Sequence, residues 1–172
     1  MIYIFVEGDD DKNFFEKIIL PIYPDYLQII EYSQRRAKDI QGYIHSINSM
    51  PDADYLFFGD EDGIGIENKK NALLNKYSFL DRKKLFIVQY EIESWYYAGV
   101  CLTDCKALKL TKYQEETNSL TKEQFYSKLP SRINRKEIML QMLDCYSKEL
   151  AEGRNRTFYS FYRTTKKEPA AV

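Results

Sequence analysis

The feature that most constrains the fold is the alternation of short apolar segments with amphipathic segments over the first 90 residues. The apolar segments have the length and the β-branched and aromatic content of strands. Between them apolar residues recur at helical spacing, as Phe15, Ile18 and Ile19 do after the first strand. Strands that alternate with helices predict a parallel sheet with right-handed crossovers and helices on both faces. The predicted strands are residues 2–6, 26–32, 54–59 and 84–90, and helices are expected at 34–48 and 67–77.

Mostly helical patterns follow residue 90. Helices are expected at residues 91–100 and 121–129, and a longer amphipathic helix is expected at 134–151. Residues 163–172 have the composition of a frayed basic end. The fold class predicted for the whole chain is therefore α/β, with a central parallel sheet of about four strands and a helical C-terminal extension.

Length and charge indicate how the chain is organised. A chain of 172 residues suits one core with an appended segment. We expect a domain over residues 1–100 and an extension over 101–172, packed on the same core. Residues 1–120 carry 14 Lys and Arg against 20 Asp and Glu, whereas residues 121–172 carry 11 against 6. An acidic front and a basic tail fit a metal site that faces an anionic polymer, and a chance unevenness of a solvated surface is the competing interpretation.

Six carboxylates follow the predicted ends of three strands. In open parallel sheets, ligands bind outside the carboxyl ends of the strands, so these acids should meet at one edge. Carboxylate oxygens suit Mg²⁺ or Mn²⁺, which take their remaining ligands from water and from substrate phosphates. The expected metal ligands are Glu7, Asp11, Asp60, Asp62, Glu91 and Glu93.

Helix capping and turn formation are the alternative explanation for these acids. Residues 9–11 stand at a helix start, where carboxylates cap backbone N–H groups and complement the helix dipole. Asp62 precedes Gly63, and this dipeptide is common in turns. Acid-rich loops recur, however, after non-adjacent strands whose ends should converge. This recurrence favours the metal interpretation.

Four motifs carry a resemblance to a known family. Val6–Gly8, with Asp11 four residues after the glutamate, and the loop Asp60–Gly63 resemble the Toprim domain. This metal-binding fold is shared by topoisomerases, bacterial primases, the RNase M5 class and the OLD (overcoming-lysogenization-defect) nucleases. Residues 90–98 resemble the Glu-x-Glu-x-Trp segment of small, stand-alone OLD-like Toprim proteins, and residues 155–161 resemble their C-terminal Asn/Ser-Phe motif.

The resemblance implies roles for individual residues. Glu7 would be a metal ligand or general acid/base, Asp60 and Asp62 the metal-binding pair, and Glu91 and Glu93 the ligands of a second metal. Asp11 corresponds to the acid four residues after the Toprim glutamate. The sequence contains no Gly-x-x-x-x-Gly-Lys-Ser/Thr loop, so any ATPase activity would have to come from a separate protein partner.

Basic residues of the second half are candidates for contacts with nucleic acid. Lys136 is a candidate cation for stabilising a transition state. A solvated helix face is the competing explanation for this group. The expected phosphate-contacting residues are Arg132, Arg135, Arg154 and Arg156.

Several other functional classes fit the sequence poorly. His45 is the single histidine and lies mid-helix, which argues against Ser–His and Cys–His catalysis. The three cysteines, Cys101, Cys105 and Cys145, provide too few ligands for a typical zinc site and agree with a reducing compartment. Apolar runs are only strand-length, so we expect no membrane segment and a cytoplasmic location.

These observations predict a Mg²⁺-dependent nuclease acting on DNA or RNA, with Glu7 or Glu93 moving a proton and Asp60 and Asp62 holding the metal. The main alternative is a non-catalytic nucleic-acid-binding or assembly subunit of a defence-type complex. A receiver-like phosphorylation pocket is weaker, because Gln89 stands where that class needs a lysine after the fourth strand. The sequence leaves the oligomeric state open.

Overall fold

The computed structural model describes residues 1–23, 27–111 and 113–165. The chain divides into two compact units, Met1–Val88 and Gln89–Val172. The first is an α/β unit and the second is helical. The helix that begins at Glu93 therefore belongs to the second unit, whereas the sequence interpretation included it in the first domain.

The first unit contains a four-stranded parallel sheet, as the sequence predicted. The strand order is β2-β1-β3-β4, and all three pairings are parallel. Because every strand runs the same way, the carboxyl ends of all four lie at one edge. The strands are β1 (Ile2–Val6), β2 (Leu27–Glu31), β3 (Asp54–Asp60) and β4 (Leu85–Val88).

Helices connect these strands, in agreement with the predicted alternation. β1 is followed by an α-helical turn that continues into a π-helical and then a 3₁₀ segment. The helices of the first unit are α1 (Asp9–Phe14), the π segment Phe15–Ile19, the 3₁₀ segment Leu20–Ile22, α2 (Ala37–Asn48), α3 (Ile66–Lys76) and the 3₁₀ turn Arg82–Lys84.

The two faces of the sheet are covered by different helices, since successive side chains of a strand point to opposite faces. Phe57 packs in a buried cluster with Ile40 of α2 and Leu73 of α3. Its neighbour Phe58 faces the other way and lies with its ring 4.7 Å from that of Phe15. The sheet is thus the buried middle layer of the first unit.

The described residues of the second unit form helices joined by loops and no strand, and the mostly helical pattern predicted after residue 90 is confirmed. No helix in the described ranges is long and apolar enough to cross a membrane. The helices are α4 (Glu93–Ala98), α5 (Leu102–Ala107), α6 (Lys122–Lys128), α7 (Arg135–Asp144), α8 (Lys148–Arg154) and α9 (Arg156–Thr165).

The prediction of one helix over residues 134–151 is wrong. α7 ends at Asp144, and Ser147 begins a new helix because its hydroxyl accepts a hydrogen bond from the backbone N–H of Leu150. Such an N-cap satisfies a helix-start N–H that has no partner within the helix. Of the predicted frayed end, residues 163–165 belong to α9 and residues 166–172 lie outside the described residues.

Two motifs that are distant in sequence meet in the core of the second unit. Trp95 is fully buried, stacks on Phe161 at 5.7 Å and donates an indole hydrogen bond of 2.9 Å to Thr157 Oγ1. Asn155 is also buried, and its amide donates to Ser94 Oγ at 3.3 Å. The segments around Glu91–Ala98 and Asn155–Phe161 are therefore packing partners. Trp95 is therefore a core residue of the second unit.

Candidate metal site

Four of the predicted acids lie at or just beyond the carboxyl edge of the first unit's sheet. Glu7 follows β1 directly, and Asp60 is the last residue of the adjacent strand β3. Asp60 is buried opposite Val88 of β4 in the strand register. Strand order thus brings the β1 and β3 acids to neighbouring positions, as a parallel sheet requires.

The loop after β3 turns sharply and directs Asp62 toward α3. Asp62, Gly63 and Gly65 have φ values of 54°, 71° and 92°, in the region that favours glycine. Gly65 then begins α3 as its N-cap residue. The Asp62-Gly63 turn predicted from sequence is therefore present, and the turn also brings the Asp62 carboxylate within reach of a lysine on the helix.

That lysine is Lys69, which sequence reasoning missed. Its ammonium donates to Asp62 Oδ2 at 2.5 Å and lies 4.0 Å from Glu7 Oε2. Burial opposes its protonation, but the hydrogen bond from Lys69 to Asp62 and the negative charges of Glu7, Asp62 and Asp60 outweigh burial. The pKa of Lys69 therefore lies above its ordinary value, and the side chain remains charged. One cation thus connects acids from two strand ends.

Tyr32, at the end of β2, packs beside the same acids. Its buried hydroxyl donates to the carbonyl of Phe58 at 2.9 Å and lies 3.4 Å from Glu7 Oε2. Burial, together with the negative charges of Glu7, Asp11 and Asp60, raises the pKa of Tyr32 far above its ordinary range. Tyr32 therefore stays protonated, and the negative charge of Asp11 is among those that act on it.

Asp11 also has the capping role that was the competing explanation. The backbone N–H of Gly8 donates to Asp11 Oδ2 at 3.2 Å at the start of α1. Such a bond fixes the carboxylate and complements the helix N-terminus. Asp11 is therefore at least a structural residue, and its role as a metal ligand stays a prediction.

The donor chemistry of this group suits a hard divalent cation. Glu7, Asp60 and Asp62 offer only carboxylate oxygens, and Lys69 supplies fewer positive charges than these acids supply negative ones. Among the described residues, no three Asp, Glu, His or Cys side chains are arranged to hold one ion as they stand. Two of the acids are instead engaged by Lys69. The residues fit a magnesium site in chemistry, but Lys69 and the acids would have to rearrange to form it.

The predicted acids Glu91 and Glu93 belong to the second unit, where they share Lys122 of α6. The Lys122 ammonium lies 3.5 Å from Glu91 Oε1 and 3.3 Å from Glu93 Oε1. Tyr126 donates a 2.7 Å hydrogen bond to Glu93 Oε1. The Glu93 side chain is only 1% exposed, and its Oε2 has no hydrogen-bond partner within the described part of the chain.

The electrostatics of this second group follow from burial. Desolvation raises the pKa of Tyr126, helped by the Glu93 carboxylate, so the phenol remains a donor. Desolvation also raises the pKa of Glu91, with the Lys122 charge opposing the shift. For Lys122, the charges of Glu93 and Glu91 outweigh desolvation and raise its pKa above the ordinary value. Sequence reasoning missed both Lys122 and Tyr126.

The basic residues expected to contact phosphates fall into two classes. Arg132, Arg135, Lys136 and Arg156 are exposed, and the Arg135 guanidinium stacks over the Tyr126 ring at 4.5 Å. These side chains are placed as a solvent-facing phosphate contact requires.

Arg154 differs and requires a correction. Its side chain is buried, and its guanidinium donates to the backbone carbonyls of Ala98 and Val100 at 3.0 and 2.8 Å. It also donates to the carbonyls of Gln114 and Glu115. Four of its five N–H donors are therefore used inside the protein. This arrangement makes Arg154 a structural residue, and we withdraw it from the phosphate-contacting group.

Comparison with known proteins adds one structural similarity. No protein-family model matches this chain, and no curated protein matches it in sequence. Among solved structures, the chain is similar to the C-terminal region of the Xanthomonas campestris pv. campestris OLD protein. The two are 13% identical with a TM-score of 0.46, over 97% of this chain and 98% of that chain. Identity at this level transfers no residue roles to the present chain.

Proposed function

We propose that the protein is a Mg²⁺- or Mn²⁺-dependent nuclease that hydrolyses phosphodiester bonds in DNA or RNA. The observation that carries the proposal is the grouping of Glu7, Asp60 and Asp62 at the carboxyl edge of a parallel sheet, with Asp11 beside them. Ligands in open α/β sheets bind at this edge. Carboxylates gathered there are suited to a divalent cation that completes its coordination with substrate phosphate.

The position of each side chain indicates its role in the proposed reaction. Asp60 and Asp62 would hold the ion, with Glu7 as a further ligand. When bound, the metal polarises the phosphate and lowers the pKa of an attacking water. Glu7 is partly exposed and can accept the proton of that water, and the Tyr32 hydroxyl lies 3.4 Å from its Oε2. Glu91 and Glu93 remain predicted ligands of a second metal, and Lys136 remains a predicted cation for the developing charge.

A cleavage assay on labelled DNA and RNA with Mg²⁺ or Mn²⁺ tests this proposal. Asp60→Asn should reduce turnover by at least about a hundredfold, because it removes a ligand charge from the reacting centre. Asp54→Asn is the matched control, since Asp54 begins the same strand at the opposite end and pairs with Lys84 there. Equal activity of wild type and Asp60→Asn would contradict the proposed site.

A second candidate is a non-catalytic subunit that binds nucleic acid. Lys69 already contacts Glu7 and Asp62, and this observation favours a structural role for the acids that needs no metal. In that case the protein would bind DNA or RNA without turnover, with any ATPase or other activity supplied by a partner. Binding that is unaffected by chelator, combined with no cleavage by either wild type or Asp60→Asn, would favour this candidate.

The salt dependence of nucleic-acid binding tests whether basic side chains contact the phosphates of a polyanionic substrate. Arg132→Ala combined with Arg156→Ala should weaken binding similarly for all sequences and flatten the log–log salt slope by about one to two. Fluorescence anisotropy over a salt series in Ca²⁺ measures both effects. Arg35→Ala combined with Arg36→Ala removes the same charge from exposed positions of the first unit and serves as the control. Equal slopes in the two double variants would refute a specific role for Arg132 and Arg156.

A further inference from the structure

The Lys69 ammonium stands where a metal ion would bind in the proposed site. It contacts Asp62 and Glu7, two of the three carboxylates proposed to hold that ion. The Lys69 side chain is 12% exposed, whereas those of Glu7 and Asp62 are 43% and 50% exposed. The lysine is thus more enclosed than the two acids that it contacts, and these acids keep about half of their surface in water.

Gly59 of β3 marks where the side chain of Lys69 passes the sheet. A Cβ atom at position 59 would lie 3.5 Å from Lys69 Cε and 3.0 Å from Leu73 Cδ1. The shorter distance is tighter than most Cβ contacts, so the Leu73 side chain would have to shift by a few tenths of an ångström to accept a larger residue. The distance to Lys69 is ordinary van der Waals contact, which shows that the stem of Lys69 passes directly beside β3 next to Asp60.

We propose that Lys69 is an internal counter-cation of the metal site, and that a divalent ion binds by displacing its ammonium from Glu7 and Asp62. The inference rests on the proposed function, because it requires these carboxylates to bind metal. An ammonium and a divalent ion within about 4 Å of the same carboxylates repel each other. The flexible four-carbon stem lets the ammonium leave without a change in the backbone.

Displacement has a direct consequence for metal affinity. The wild-type site must give up its contacts with Lys69 before it gains those with the ion. Removal of the lysine charge should therefore tighten metal binding, whereas removal of a structural support would weaken it. The sign of the change separates a counter-cation from a residue that merely holds the loop in place.

Calorimetric titration of the full chain with Mn²⁺ measures this sign. Lys69→Met should lower the Kd for Mn²⁺ by about tenfold. Lys70→Met is the matched control, because Lys70 is the next residue of α3 and pairs with Glu67 at 3.8 Å. It loses the same charge and should leave the Kd nearly unchanged. Lys69→Arg keeps the charge and should retain an affinity close to that of wild type.

A measurement on the wild-type protein keeps the inference testable if Lys69→Met does not fold. Mass spectrometry after brief amine labelling reports how accessible each lysine is. Saturating Mn²⁺ should increase the labelling rate of Lys69 several-fold relative to that of Lys70, because the displaced ammonium enters solvent.

The outcomes separate this inference from the proposed function. If wild type binds Mn²⁺ while Lys69→Met binds it no more tightly and the labelling of Lys69 does not respond, the counter-cation role is overturned and the metal site stands. If neither protein binds Mn²⁺, the metal site is overturned and the inference with it.

Discussion

The two units of this protein each contain a group of acids held by one lysine, but the groups differ in how far they are removed from water. In the first unit, Glu7 and Asp62 are about half exposed around Lys69. In the second, Glu93 is almost fully buried against Lys122 and Tyr126. The same residue types therefore form a solvent-accessible cluster in one unit, whereas in the other a partly exposed lysine pairs with a buried carboxylate.

This difference decides how each group responds when a partner is lost. Charges that remain in contact with water are solvated again when a pair is broken, so the loss of stability is small. A carboxylate sealed inside the protein cannot be solvated in this way, and the loss is much larger. The first group is thus suited to exchange one cation for another, and the second is suited to remain fixed.

The largest expected effect tests this contrast directly. Lys122→Met leaves Glu93 buried beside Tyr126 without its cation and should reduce the free energy of unfolding by about 2–4 kcal/mol, allowing for the partial exposure of Lys122. Lys69→Met should cost only about 1 kcal/mol in metal-free buffer. Urea denaturation in EDTA measures both, with the exposed Lys106→Met as control. Similar losses of unfolding free energy in Lys122→Met and Lys69→Met would contradict the difference between the two groups.

An intermediate effect is expected from the hydrogen bond within the buried group. Tyr126→Phe removes the phenol that donates to Glu93 Oε1. A hydrogen bond to a charged group contributes about 1.5–3 kcal/mol, so the variant should lose free energy of unfolding in that range. Tyr159→Phe, at an exposed position of α9, is the control and should be nearly neutral. A neutral Tyr126→Phe would indicate that Lys122 alone stabilises Glu93.

The smallest effect concerns the pH dependence of Glu91. Burial raises the pKa of Glu91 above its ordinary value, so folding favours the protonated form. Its contribution to stability is present below the unfolded-state pKa and is lost as pH rises through the folded-state pKa. Glu91→Gln should therefore increase the stability measured at pH 7 by less than about 1 kcal/mol and add nothing near pH 3. Thermal unfolding of both proteins over this pH range provides the test, and a destabilised Glu91→Gln at pH 7 would contradict it.

Much of the first unit could be predicted from its sequence because the relevant signals are local. The apolar strands and the acids after them are adjacent along the chain, and a parallel sheet places strand ends at one edge. Lys69 was missed because its contact with Asp62 depends on a loop with positive φ angles, which a charge pattern does not reveal. Lys122 lies about thirty residues after Glu91, and no sequence spacing links the two.

The second unit was less predictable because the amino-acid composition does not show which charged side chains are buried. Arg154 contributes to the excess of basic residues in the last 52 residues, yet its guanidinium is buried and donates hydrogen bonds to backbone carbonyls. The break between α7 and α8 did have a signal. Ser147 precedes Glu149, and a serine followed closely by an acid is a typical helix start.

Because Trp95 is buried in the second unit, its fluorescence can serve as a probe of that unit. The chain contains a single tryptophan, and its indole is stacked on Phe161 of α9 with its N–H held by Thr157. Emission excited selectively at the red edge of the indole band therefore reports on one location and not on an average over the molecule. Undocking of α9 would expose this ring to water and shift its emission to longer wavelength. The α/β unit, which has tyrosines but no tryptophan, would contribute nothing to that signal, so the melting of the second unit could be followed by itself.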